Sequence, residues 1–107
     1  MTLTQIALLM RREARAGGRA QHKLERGLTL TLWQDGGDWI LSLTRKGRPA
    51  SETEIIICRQ WFEIPASAAI EQDRVGQYHI IRLRWSEAAA EQLPLIEPEK
   101  PNQYKYD

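Results

Sequence analysis

Apolar residues recur along the first segment at helical spacing. Leu3, Ile6, Ala7, Met10 and Ala14 fall on one face of a helix over about residues 3–16. Thr2 and Gln5 have the spacing of a capping box, in which each side chain satisfies the other's backbone amide. Arg11, Arg12 and Arg15 suit the negative end of the helix dipole, and Gly17-Gly18 ends it. Residues 19–26 are polar and read as linker or frayed helix.

The period then changes from helical to two. Leu28, Leu30 and Leu32 alternate with Thr29, Thr31 and Trp33, which predicts a strand. Gln34-Asp35-Gly36-Gly37-Asp38 is a turn, because Asp and Gly tolerate the positive φ angles of hairpin loops. Trp39, Leu41 and Leu43 alternate with Ile40, Ser42 and Thr44 in a second strand. The five leucines share the buried face, and Trp33 and Ile40 lie on the other.

Arg45-Lys46-Gly47-Arg48-Pro49 reads as a basic loop. Ser51 and Glu54 form a second capping box. Ile55, Cys58 and Phe62 repeat at three and four residues, giving a second helix over about 52–62, which Pro65 stops. Residues 68–71 read as a short strand, with a turn at 73–76. Residues 77–85 form a firm strand: His79, Ile81, Leu83 and Trp85 point one way, and Tyr78, Ile80, Arg82 and Arg84 the other. Residues 86–93 suit a short helix. With Pro94, Pro98 and Pro101, the remainder reads as an extended tail.

The order is helix, strand, strand, helix, a short strand, strand. The expected fold is α+β: a small antiparallel sheet of three or four strands packed by one or two helices. The expected organisation is an N-terminal helix and basic linker (1–26), one core domain (27–93) and a Pro-containing tail (94–107). Length agrees, since 107 residues make one domain.

Charge adds one feature. The net charge is +1, which excludes a polycation or an acidic tail protein as a description of the whole chain. Its distribution is uneven. Arg11, Arg12, Arg15, Arg19, Lys23 and Arg26 outnumber Glu13 and Glu25 in the first 26 residues, while Glu87, Glu91, Glu97, Glu99 and Asp107 outnumber Lys100 and Lys105 at the other end.

Candidate chemistry is sparse. A single cysteine excludes an internal disulfide or a Cys-cluster zinc site. Cys58 falls on the apolar face of the second helix and reads as a core residue. His79 reads as structural and His22 as solvated. Neither glycine pair has the strand–loop–helix setting of a phosphate-binding loop. No enzymatic activity, cofactor or metal is expected.

Two binding readings remain. Four tryptophans are a heavy load for so short a chain, and a small core has room to bury two of them fully. Exposed tryptophan and an amphipathic helix both suit protein contacts. The leading expectation is therefore a non-enzymatic protein–protein interaction module, self-association included, with Ile6, Met10, Trp33, Trp39 and Trp85 as candidate contacts. The alternative is a nucleic-acid-binding or nucleoprotein-associated module. It would use Arg11, Arg12, Arg15 and Arg19 with Arg45, Lys46, Arg48, Arg82 and Arg84. No stretch reaches the length of a membrane span. The short apolar run from Ile6 to Met10, followed by Arg11 and Arg12, has the wrong order for a secretory signal. A cytoplasmic protein without membrane partners is expected.

Overall fold

The computed structural model describes residues 2–24 and 27–87. The expected helix over 86–93 and the tail over 94–107 lie outside these residues, apart from Ser86 and Glu87. The chain runs α1 (Leu3–Arg15), β1 (Ala20–Lys23), β2 (Thr29–Asp35), β3 (Asp38–Lys46), α2 (Glu52–Trp61), β4 (Ala69–Val75) and β5 (Tyr78–Ser86). The strands form one five-stranded antiparallel sheet in the order β1-β2-β3-β5-β4. The class is α+β, as expected, but the sheet is larger than the sequence pattern implied.

The extra strand is β1. Residues 20–23 read as linker because only Ala20 and His22 could share an inward face, too few to show a period. Pairing supplies what the pattern lacks: β1 lies antiparallel to β2, with Ala20 opposite Leu32 and Lys23 opposite Thr29. Ala20 is buried in the process. The expected turn at 73–76 also moves. β4 runs on to Val75, and Gly76-Gln77 makes the turn, with Gly76 at φ 61°.

Both helix starts form as their sequences dictate. The Gln5 amide donates to Thr2 Oγ1 at 3.2 Å and the Thr2 amide to Gln5 Oε1 at 2.8 Å. The Glu54 amide donates to Ser51 Oγ at 3.2 Å and the Ser51 amide to Glu54 Oε1 at 2.8 Å. Each box satisfies amides that a helix start leaves without partners. α2 ends just ahead of Pro65: Glu63 takes a left-handed φ of 51°, and the Ile64 amide donates back to the Arg59 carbonyl at 2.9 Å.

Both helices pack on one face of the sheet. Ala7, Met10 and Ala14 of α1 join Cys58 and Phe62 at α2, and Leu30, Leu32, Leu41, Leu43, Ile81 and Leu83 of the sheet, in one core. The five leucines expected to share the buried face do so. Trp39 and Trp85 lie opposite each other across β3 and β5, and both are buried. On the other face, Ile40 and Ser42 of β3 are also buried, although no helix among the described residues covers them. Each lies beside at least one long cross-strand side chain: Trp33 and Arg84 flank Ile40, and Arg82, with Thr31 on the other side, flanks Ser42.

Candidate interaction surfaces

Cys58 is buried on the inner side of α2. Burial pushes its thiol up to about 12, and the nearby Glu54 carboxylate adds to the shift. The thiolate, which is the reactive form, is therefore scarce at neutral pH. His22 and His79 lie on separate strands, β1 and β5, which β2 and β3 hold apart. Among the described residues, no three His, Cys, Asp or Glu side chains cluster in a way that could hold a metal ion.

Arg45, expected in a basic loop, belongs instead to the end of β3 and is buried on the helix-covered face. It forms an ion pair with Glu54 in the first turn of α2. Burial opposes the charged form of Glu54. The Ser51 amide, Arg45, the Ser51 hydroxyl and Arg48 outweigh it and hold the carboxyl below its ordinary value of 4.5. The pair ties the start of α2 to the sheet.

Most of the cations that pointed to nucleic acid have protein partners. Arg84 donates to Asp38 Oδ2 at 2.7 Å and to Asp35 Oδ2 at 3.3 Å. Its guanidinium pKa rises, first through the hydrogen bond to Asp38. Arg82 lies 3.4 Å from Asp73 and 3.6 Å from Glu71. Arg15 lies 5.5 Å over the Trp39 ring and 3.3 Å from Glu87. Arg19 stacks on Trp33 at 4.4 Å, beside a polar hollow lined by Gly17, Gly18, Gln34 and Asp35. Arg11 is half-buried, which pushes its pKa down, while Glu63 pushes it up. Arg12, Lys46 and Arg48 stay exposed. The basic residues thus lie on α1, over Trp33, at the end of β3 and in the loop after it, and on the open sheet face.

The side chains named for partner contact are placed mostly inside. Met10, Trp39 and Trp85 belong to the core, and Ile6 packs half-buried against it. Trp33 is half-buried under Arg19. Other apolar residues stay outside. On α1 they are Leu8 (54% exposed) and Leu9 (45%), and on α2 Ile56 (51%) and Ile57 (37%). On the β4–β5 hairpin they are Ile70 (51%), Val75 (61%) and Tyr78 (49%).

Part of this surface has a sequence signal. Ile55, Ile56 and Ile57 are consecutive, and a helix advances 100° per residue, so one face cannot hold all three. The same holds for Ala7, Leu8, Leu9 and Met10. The exposure of Ile70 and Val75 has no such signal, because it depends on what lies beside β4.

Beside α2, Leu24, Leu28, Ile57, Cys58 and Trp61 line a shallow groove of about 180 Å³, with Glu54 at its rim. A second hollow on the outer side of α1 is lined by Gln5, Leu8, Leu9 and Arg12. Among the described residues, no helix is long and apolar enough to cross a membrane. Comparison of the chain with protein-family models, with curated proteins and with solved structures returns no match.

Proposed function

We propose that this protein is a non-enzymatic protein-binding module. One observation carries the reading: apolar side chains stay outside a core that is already closed. Leu8 and Leu9 on α1 and Ile56 and Ile57 on α2 stay exposed, while the other side of each helix packs into the core. Each helix therefore offers a second apolar strip, suited to a partner or to another copy of the chain. The scattered and mostly paired arginines support this reading over a nucleic-acid interface, which needs a continuous cationic footprint.

Sedimentation velocity over a wide concentration range tests the reading. Expected is reversible self-association, reduced by Leu8→Asp with Leu9→Asp or by Ile56→Asp with Ile57→Asp. Replacing Arg11, Arg12, Arg15 and Arg19 with Gln should change it little. A chain that stays monomeric, yet binds generic duplex DNA with a steep salt dependence lost in the arginine variant, reverses the conclusion.

A further inference from the structure

β4 is a sheet edge of unusual openness. All seven of its residues are exposed, and among the described residues β5 is its one partner strand in the sheet. The opposite edge, β1, is four residues long and has Ala20 buried. A free edge presents unpaired amide and carbonyl groups to any extended chain that fits beside it. The side chains of β4 define what fits. Ala69, Glu71, Asp73 and Val75 lie on the face opposite α1 and α2, as their partners Arg84, Arg82, Ile80 and Tyr78 do. Ile70, Gln72 and Arg74 lie on the other face.

Glu71 and Asp73 share the single guanidinium of Arg82, at 3.6 and 3.4 Å, so one negative charge is left over. The Glu71 side chain is 74% exposed and that of Asp73 50%. Apolar groups bracket this acidic pair, with Ile70 at one end and Val75 beside Tyr78 at the other. An edge guarded only against aggregation does not need exposed aliphatic groups at both ends of its charges.

A second copy of β4 does not fit. Two-fold pairing of antiparallel strands in a continuous sheet keeps each face on its own side, so even-numbered residues face even and odd face odd. Centring the pair on Gln72 sets Glu71 against Asp73 twice. Centring it on Glu71 or Asp73 sets a carboxylate against itself, centring it on Arg74 sets a guanidinium against itself, and centring it on Ile70 pairs only residues 69–71 of each strand. Like charges directly opposite each other are destabilising.

From this edge we infer that β4 is a docking strand for an extended cationic segment of another protein, added to the sheet as a sixth strand. The inference rests on the protein-binding reading and names the partner class. The segment carries two cationic side chains at alternate positions, opposite Glu71 and Asp73, with an aliphatic residue at each end opposite Ile70 and Val75. Backbone pairing supplies affinity and the alternate side chains supply specificity.

The probe is a fluorescent synthetic peptide, Val-Thr-Lys-Thr-Lys-Val, titrated into the full chain, with amide hydrogen exchange mapping its site. Expected is saturable binding that adds protection along β4 and weakens roughly tenfold in Glu71→Lys with Asp73→Lys. These positions are exposed, so circular dichroism should show an intact fold. Methylating alternate peptide amides should abolish binding, while Leu8→Asp with Leu9→Asp should leave it unchanged. Equal affinity for the charge-reversed variant, or protection gained on α1 or α2 instead, overturns the inference. If the peptide does not bind while self-association through the helices persists, strand addition at β4 is wrong and the protein-binding reading stands. Loss of both removes both.

Discussion

β3 and β4 are both regular antiparallel strands, yet six of the nine residues of β3 are buried and none of the seven in β4. β3 has a strand on each side and helices over one face. β4 has one neighbour among the described residues. Burial in this sheet follows position, and composition follows burial: β3 carries Trp39, Ile40, Leu41 and Leu43, and β4 carries Glu71, Gln72, Asp73 and Arg74. The contrast separates stability from recognition. Changes in β3 should act on folding, and changes in β4 on what the folded protein binds.

The largest effect is expected at the centre. Leu41 is fully buried, and Leu41→Ala should cost about 3–5 kcal/mol through lost burial and a residual cavity. Urea unfolding measures it, and a loss comparable to that of an exposed residue would contradict the assigned core.

Next comes the Arg45–Glu54 pair at the end of β3. Glu54→Ala should cost about 2–3 kcal/mol, below the full value of a buried pair because the Glu54 side chain is 25% exposed. The pair also predicts a pH dependence. The Glu54 pKa is lower in the folded chain than its ordinary value of 4.5. The carboxylate therefore contributes its stabilisation above that value and loses it as pH falls through the lower, folded one. Urea midpoints measured down an acid series should drop less steeply in Glu54→Gln than in the natural chain.

Cys58 gives a smaller energetic effect with a sharper readout. Cys58→Ala should cost on the order of 1 kcal/mol. A thiol reagent should label the native chain slowly and the unfolded chain fast, because burial raises the thiol pKa to about 12. Rapid native labelling would mean that the groove beside Cys58 opens readily.

The smallest effect belongs to β4. Val75→Ser should shift stability by no more than about 0.5 kcal/mol, since the side chain is 61% exposed. Calorimetry checks this. A loss as large as that of Leu41→Ala would erase the distinction between centre and edge.

The legible parts of this fold are the local ones. Thr2 with Gln5 and Ser51 with Glu54 announce helix starts because each cap closes within one turn. The period-two leucines announce β2 and β3, and Gly36-Gly37 the turn between them, because alternation and turn chemistry act between neighbours in sequence. The candidate surface was less legible. Trp39 and Trp85 looked available for contact because of their size, but the opposed strands bury both rings under the helices.

From the sequence alone follow the helix caps, the central hairpin, the inward leucines and the core setting of Cys58. All of these depend on contacts a few residues apart or on a period that the chain itself carries. Long-range pairing settles the rest: β1 as a strand, Arg45 as a buried ion-pair partner, and β4 as an open edge. β1 exists because β2 offers it hydrogen bonds. Arg45 is buried because α2 brings Glu54 to it. β4 is exposed because, among the described residues, no strand or helix lies beyond it. For β1 and Arg45 the deciding neighbour comes from another part of the chain, for β4 what decides is its place at the end of the strand order, and no local pattern encodes either.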